Sequence, residues 1–410
     1  MVSSVSNFAT GVVIARLSGA VEFGQYALTV TVWLVVVGLH RALITEPVIV
    51  SSGTIEDRRA VIAHGLGAEL LLGGAATGVA AAAGLAILAA GAGAGAVMLA
   101  LSPWFTALLV QDYWRAMSFQ ERRPGRALLN DVAFAAVQAA SIGLFLLLGF
   151  RSAPWMVTAW GIGGLAGAVL GFSWYPMVGR AAEGWQLLRR FWPMSRWFLA
   201  DFGTGFASDQ SYVALAALLV SQADYGGFRA SYSLLGPSIV IAIAAGNVAL
   251  PEASRRVDAQ DPGPLRHFGR CLNAGTFAAL ALYGAFVAVA GRQVLTLVYG
   301  HEFARYAPVA ALVACGYPLL GTVFGFTMSL KAAGKMRRVW RARVVVAVLS
   351  LSSMVAFIRW FGINGAGWTA VATGGYYAIA VWIVHRAEFG RSPSEPEPSR
   401  AQVVPAGPPG

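Results

Sequence analysis

Apolar runs long enough to cross a membrane recur along almost the whole chain. One of them, LLLGGAATGVAAAAGLAILAA, extends from Leu70 to Ala90 without a charged residue. About 18 such residues are enough to span a hydrocarbon core as a helix. The run does not alternate with a period of two, so it lacks the strand pattern of a membrane barrel. Because the chain is 57% hydrophobic and only 12% charged, it is predicted to be an all-α integral membrane protein.

About twelve spans are predicted, near residues 1–17, 25–50, 63–90, 94–113, 127–149, 154–177, 197–220, 227–250, 268–290, 306–330, 341–360 and 364–385. The segment EGWQLLRRFWPMSRW precedes the seventh span and favours an amphipathic helix in the membrane plane over an ordinary loop. The predicted division is a six-helix bundle at 1–177, a cytoplasmic amphipathic linker at 178–196, a second six-helix bundle at 197–387 and a disordered cytoplasmic tail, rich in Pro and Ser, at 388–410.

Basic residues are distributed unequally between the two sides that these spans define. With the N-terminus inside, 23 of the 30 Lys and Arg residues fall in inner loops or the tail, including Lys331 and Arg343, and five lie at the outer side. This distribution follows the positive-inside rule and predicts cytoplasmic termini. The excess of Arg over Lys is typical of a GC-rich bacterial genome, so the predicted location is a bacterial plasma membrane. The charge of +11 therefore indicates contact with anionic membrane lipids and no nucleic-acid partner.

A short pattern occurs twice, at an offset of 202 residues. EFGQYAL begins at Glu22 and DYGGFRA begins at Asp224, and each has an acid, an aromatic, a glycine and a second aromatic. Two more matches follow in the same order, Pro47 with Pro251 and MSFQERRPGR with MSLKAAGKMR. Three matches in one order indicate two homologous halves. Six spans in each half place the symmetry axis along the membrane normal, with a substrate route between the halves near the midplane.

Longer segments resemble a known superfamily. ARLSGAVEFGQYAL resembles the opening of polysaccharide flippases of the multidrug/oligosaccharidyl-lipid/polysaccharide exporter superfamily. VYGHEFARYAPVAALVACGYPLLGTVFGFTMSLKAAGKMRR resembles their tenth helix with its preceding loop, and FGINGAGWTAVAT resembles the start of their last helix. The resemblance extends to about residue 387 and implies two pseudo-symmetric six-helix bundles that alternate access to a lipid-linked oligosaccharide. Lipid II flippases of this superfamily usually carry two further helices that have no counterpart here.

Charged side chains inside spans are candidate site residues, because a charge in hydrocarbon is costly unless it is paired or faces water. Arg41 lies in the second span, and Glu46 follows five residues later. Five α-helical residues turn by about 500°, so the two are predicted to face different sides. Arg41 is predicted either to bind a pyrophosphate through its forked guanidinium or to pair with an acid on another helix. Glu46 is a candidate ion-coupling residue, and Asp112, Asp131 and Glu69 rank lower because they lie near span ends or are expected to pair with loop arginines.

The outer level of the membrane offers three more candidates. Arg229 begins the eighth span, and Ser233 lies four residues further on the same helical face. Arg16 closes the first span at the same level. All three are predicted substrate-binding residues, and the alternative for the two arginines is that they extend to the lipid head groups.

The seventh span is the most polar. Four residues recur on one helical face and are predicted to line a water-filled cavity: Asp201, Thr204, Ser208 and Tyr212. Thr204 and Ser208 are predicted to bind substrate. Asp201 and Asp209 are predicted to couple transport to protons or sodium, with Asp209 preferred because it lies about twelve residues into the span. The alternative for Asp209 is an ion pair with Arg41 or Arg229.

The sequence has no P-loop, Rossmann glycine pattern, metal-ligand spacing or Ser/His/Asp grouping. No enzymatic activity, cofactor or metal is therefore predicted. The predicted function is a flippase of undecaprenyl-pyrophosphate-linked oligosaccharide, with polysaccharide polymerase and glycosyltransferases as candidate protein partners. The main alternative is an ion-coupled multidrug antiporter. A cavity with net positive charge would favour the flippase, and one dominated by Asp209 and Asp201 with aromatic walls would favour the antiporter. An assembly scaffold or a glycan polymerase is the remaining alternative.

Overall fold

The structure is a computed structural model that describes residues 10–11, 13–14, 19–51, 58–176, 179–220, 222–257 and 262–389. From residue 19 onwards the described chain forms these α-helices: α1 (Gly19–His40), α2 (Glu46–Ser51), α3 (Arg58–Ala89), α4 (Ala94–Leu101), α5 (Phe105–Gln120), α6 (Pro124–Leu147), α7 (Ala153–Trp174), α8 (Ala181–Leu219), α9 (Gln222–Ser233), α10 (Gly236–Val257), α11 (Pro262–Tyr299), α12 (Ala307–Gly321), α13 (Phe324–Ala332), α14 (Met336–Phe361) and α15 (Asn364–Phe389). A π-helical turn, Arg41–Thr45, joins α1 to α2, and 3₁₀ turns at Ser102–Trp104 and His301–Tyr306 precede α5 and α12.

Ten helical stretches among the described residues are long and apolar enough to cross a membrane. This finding confirms the prediction of a multi-pass, all-α membrane protein. The first predicted span, at 1–17, lies largely outside the described residues. The seventh lies in the second half of α8, where polar residues lower the mean hydropathy of the helix.

The region between the halves differs from the prediction. The expected linker at 178–196 and the seventh span form one continuous helix, α8, of 39 residues with Pro193 inside it. Its first half packs on α3 at a glycine contact, where a Cβ on Gly184 would lie 2.2 Å from the backbone nitrogen of Ala68. Trp185 and Trp192 remain 56% and 51% exposed, as an amphipathic face requires. At the other boundary, α15 continues to Phe389, and the predicted disordered tail from 390 onwards lies outside the described residues.

The helices form two lobes. Lobe 1 contains α1 to α7, and lobe 2 contains the second half of α8 and α9 to α15. The end that carries the turns after α5 and α13 is rich in arginine and is called the basic end. At this end apolar clusters include side chains of both lobes, Val48 with Leu250 in one and Ala42 with Leu330 in another. Two further clusters, distant from this end, each contain residues of one lobe. The lobes are therefore joined at the basic end, and each has its own core toward the opposite end.

Glycines allow bulky side chains into the lobe 1 core. On α7, Cβ atoms added to Gly161 and Gly171 would lie 2.0 Å from the rings of Trp104 and Trp114. Small residues at such contacts are typical of membrane helices, which gain little from hydrophobic burial against lipid and associate by close packing.

The repeat found in the sequence occupies equivalent places in the two lobes. Glu22 lies in the first turn of α1, and Asp224 lies in the first turn of α9. The Glu22 carboxylate accepts the backbone N–H of Ala153 at 2.5 Å, and Asp224 accepts the hydroxyl of Tyr306 at 3.0 Å. Both acids therefore bind the entry of another helix of their own lobe, which is a structural role.

Candidate functional site

Three neighbouring cavities lie between and within the lobes. The lobe 1 cavity has a volume of about 500 Å³ and is bounded by α1, α5, α6, α7 and α10. The lobe 2 cavity, of about 460 Å³, is bounded by α8 and α10 to α15. A smaller junction cavity of about 170 Å³ lies between them, and Ile243 of α10 lines all three.

Arg41 lies on the wall of the lobe 1 cavity and is bound by an acid of another helix. Its Nε and Nη2 donate to the two carboxylate oxygens of Asp112 at 2.8 and 2.7 Å. Arg115 Nη2 donates to Asp112 Oδ1 at 2.7 Å. The Arg41 side chain remains 30% exposed, so pairing with an acid and facing the cavity occur together. Asp112, which the sequence ranked low, is the centre of this cluster.

His40 extends the cluster into the core of lobe 1. Its imidazole is fully buried, with Nδ1 2.6 Å from Glu69 Oε2 and Nε2 3.2 Å from Asp112 Oδ2. One ring therefore joins α1 to α3 and α5. Sequence reasoning missed this arrangement, although Glu69 lies inside a long apolar run and His40 directly precedes Arg41.

The π turn changes the direction of Glu46. The backbone N–H of Glu46 donates to the carbonyl of Arg41, which is the five-residue bond of a π-helix. A turn that contains one residue more than an α turn brings the fifth residue back toward the side of the first. Arg41 and Glu46 consequently line the same junction cavity, so the prediction of different faces was wrong, because it assumed a regular α-helix.

The cationic residues of lobe 2 come from positions that the sequence assigned to an inner loop. Lys331 and Arg343 line the lobe 2 cavity. Arg343 holds Asp201 through two contacts, Nε with Oδ1 and Nη2 with Oδ2, the second at 3.3 Å. Lys331 Nζ lies 3.2 Å from Glu46 Oε2 of lobe 1 and 3.9 Å from Asp201 Oδ2. Both residues were misplaced because span ends cannot be read accurately from hydropathy.

Of the four residues predicted on one face of the seventh span, only some line a cavity. These four residues, Asp201, Thr204, Ser208 and Tyr212, are called the polar stripe. Ser208 lines the lobe 2 cavity together with the exposed Asp209. Thr204 instead accepts a hydrogen bond from Trp340 Nε1 at 3.0 Å, and Tyr212 donates to the carbonyl of Ala366 at 2.6 Å. The stripe therefore packs mainly on α14 and α15, and the cavity lies beside it.

Two of the outer candidates, Arg229 and Ser233, do not line any of the three cavities. Arg229 is exposed. Ser233 donates to the carbonyl of Ala230 at 2.7 Å, and its hydroxyl lies 2.6 Å from that of Tyr299. Arg16 lies outside the described residues. The binding roles of these residues stay predictions.

Charged side chains of both signs line the three cavities. The lining basic residues are Arg41, Arg115, Lys331 and Arg343, and the lining acidic residues are Glu46, Asp112, Asp131 and Asp209. Over the three cavities together the two signs are equal in number, whereas the lobe 2 cavity alone is lined by two cations, Lys331 and Arg343, and one acid, Asp209. Within the described part of the chain, no group of His, Cys, Asp and Glu is arranged to hold a metal ion.

No protein-family model and no curated protein sequence matches the chain. Solved structures do match it. A MATE protein in a straight conformation has a TM-score of 0.82 at 15% identity, over 95% of this chain and 92% of that chain. An outward-facing multidrug resistance MATE family transporter of the MOP superfamily has a TM-score of 0.78 at 14% identity over the same shares. A MOP superfamily transporter from Pyrococcus furiosus, whose binding pocket is described as having reverse polarity, has a TM-score of 0.75 at 13% identity, over 95% of this chain and 92% of that chain.

These matches show the fold. The chain is a multi-pass membrane protein with the architecture of MATE transporters, as the sequence predicted.

Proposed function

We propose that this protein is an alternating-access transporter that carries undecaprenyl-pyrophosphate-linked oligosaccharide from the inner to the outer leaflet of a bacterial plasma membrane. The MATE-type fold supports transport, since its two lobes enclose cavities that can open to either side in turn. The resemblance of the sequence to polysaccharide flippases supports the substrate.

One observation carries this proposal, namely that each lobe presents a partly exposed guanidinium to its cavity. Arg41 in lobe 1 and Arg343 in lobe 2 each have 30% of the side chain exposed. Each is oriented by a carboxylate on a neighbouring helix, Asp112 or Asp201. Arginine binds phosphate groups in a forked geometry, so two oriented guanidiniums suit a pyrophosphate.

The lobe 1 cavity also has a large apolar wall, which suits an amphipathic molecule. Its walls include Trp33, Leu34, Phe134 and Trp160. A lipid-linked sugar has a charged group between a hydrocarbon tail and a polar glycan, and such a molecule requires both kinds of surface.

The concentration of arginines at the basic end indicates how the protein is oriented in the membrane. The positive-inside rule places this end in the cytoplasm with both termini, where anionic head groups contact its arginines. In this orientation, lobes that are joined at the basic end would be closed toward the cytoplasm. Glycosyltransferases would supply the substrate on the inner side, and a polysaccharide polymerase would consume it on the outer side.

The proposal is tested by flipping of a labelled lipid-linked oligosaccharide in vesicles that contain the purified full chain. Arg41→Gln and Arg343→Gln should each reduce the rate at least about tenfold, since a charged hydrogen bond to the substrate is lost. Arg359→Gln, an exposed arginine in the last turn of α14, is the matched control and should leave the rate unchanged. Absence of flipping by the wild-type protein would refute the proposal.

A second candidate is supported by Asp209. This exposed carboxylate shares the lobe 2 cavity with Tyr317 and Tyr377, and aromatic walls with an acid suit a cationic drug. An ion-coupled multidrug antiporter would move a fluorescent cationic dye against its gradient in the same vesicles. A lipid II flippase, a further alternative, would move labelled lipid II. Movement of the dye without flipping of lipid-linked sugar would favour the antiporter.

A further inference from the structure

An ion pair joins the two lobes at the junction cavity. Lys331 Nζ lies 3.2 and 3.4 Å from the two carboxylate oxygens of Glu46. The side chains are only 12% and 28% exposed, so solvent screens their attraction less than it would screen a surface pair. Glu46 belongs to lobe 1 and Lys331 to lobe 2, so the pair can form only while the lobes are together at this level.

Lys331 has a second acid within its own lobe. Asp201 Oδ2 lies 3.9 Å from Lys331 Nζ, but this carboxylate is already held by Arg343. A lysine ammonium is a compact charge on a flexible stem and can exchange partners, whereas a forked arginine pair is fixed in geometry. If the lobes part at the basic end, Glu46 leaves with lobe 1, and Lys331 stays in lobe 2 beside an acid that Arg343 already occupies.

A lysine released in this way would need another anion. It lines the lobe 2 cavity, while Arg41 and Glu46 line the adjoining junction cavity. A phosphate or pyrophosphate group carries more negative charge than a carboxylate and accepts several hydrogen bonds, so it can occupy the position that Glu46 leaves. Glu46 and the anionic group would then bind the same ammonium in different states of the protein.

We propose that Lys331 binds the phosphate-bearing head group of the substrate in the state open at the basic end, and that Glu46 displaces this group when the lobes close there. The inference rests on the proposed function, because it names a binding residue for an anionic substrate. It also makes the affinity for substrate depend on the state of the protein. Closure at the basic end removes one cation from the substrate as the path to the other side opens, so the closed state binds the head group more weakly, while the substrate gradient sets the direction of net transport.

Binding of farnesyl pyrophosphate to the purified full chain tests the competition. The protein is held in phosphatidylcholine nanodiscs, which limits competition by anionic lipid. Glu46→Gln removes the competitor and should tighten binding about tenfold, and Lys331→Gln should weaken it by at least about tenfold. The double variant should bind as weakly as Lys331→Gln. Glu388→Gln removes an acid that pairs within lobe 2 with Lys335 and should leave the affinity unchanged. Unchanged or weaker binding by Glu46→Gln, or unchanged binding by Lys331→Gln, would overturn the inference.

The second measurement needs no substrate. Spin labels at Gly125→Cys and Pro264→Cys, on opposite lobes at the basic end, report the distance between lobes in a background with Cys271→Ser and Cys315→Ser. Glu46→Gln should increase the long-distance population, and Glu388→Gln should not. An unchanged distribution in Glu46→Gln would overturn the role of the pair. If both measurements succeed while lipid-linked oligosaccharide is not flipped, the proposed substrate fails and the exchange at Lys331 stands.

Discussion

Arg122 and Glu252 connect the two lobes at the basic end, with Arg122 Nη2 2.9 Å from Glu252 Oε1. Glu252 also pairs with Arg255 and Arg256 one turn along α10. Arg255 Nη1 donates to the carbonyl of Gln120 at 2.8 Å. One carboxylate thus organises three arginines, and it lies between Leu250 and Ala253, which belong to an apolar cluster with Val48 of lobe 1.

Neutralising Glu252 should weaken the contact between the lobes at the basic end. Glu252→Gln leaves three arginines close together without their shared anion, so repulsion should favour the state open at the basic end. Cross-linking or spin-label distances across this end should then show a larger open population, and added salt should reduce the difference between variant and wild type. A population equal to that of wild type at low salt would contradict a closing role.

The two hydrogen bonds between the Arg41 guanidinium and the Asp112 carboxylate should stabilise the folded protein as well as position Arg41 at the cavity. Asp112→Asn removes the acid shared by Arg41 and Arg115 and should lower stability by about 3 kcal/mol. Arg41→Gln should lower it less, since Asp112 keeps its contacts with Arg115 and His40. The double variant should lose less than the sum, with a coupling energy of about 2 kcal/mol. Thermal unfolding in detergent measures all four proteins. Strict additivity would show that the two groups do not interact in the folded state.

The glycine contact between α3 and α8 should tolerate no side chain. A Cβ on Gly67 would lie 2.3 Å from the carbonyl oxygen of Arg180, whereas one on Gly74, two turns further along α3, meets nothing within 4 Å. Gly67→Val should therefore lower stability by about 1 to 3 kcal/mol, and Gly74→Val should not. Size-exclusion chromatography after heating measures the fraction still folded. Equal losses in the two variants would show that helix propensity, not the contact, determines the effect.

Asp209 should affect coupling without affecting the closure of the lobes. Its exposed carboxylate lines the lobe 2 cavity, where it can take up a proton or a sodium ion. Asp209→Asn should abolish the response of transport to an imposed ion gradient. Glu302→Gln, an exposed acid in the 3₁₀ turn before α12, is the matched control. Persistence of the gradient response in Asp209→Asn would remove this residue from coupling.

Part of the candidate site was accessible from the sequence. Arg41, Ser208 and Asp209 were selected as charged or polar residues inside spans, and all three line cavities. Lys331 and Arg343 were assigned to a loop, because hydropathy identifies only the ends of apolar runs. It does not show which polar residues beyond those ends line a cavity. The lobe 2 cavity extends far enough toward the basic end to include both residues.

The sequence by itself determined the membrane helices, their division into two halves and the concentration of arginines at one end. These properties are local, because burial in lipid requires long apolar runs and orientation depends on the charges that flank them. Only the tertiary structure decided which charges meet. His40 contacts Glu69 and Asp112, and Glu46 reaches Lys331 across 285 residues, since such pairs depend on which helices are neighbours and on a single π turn.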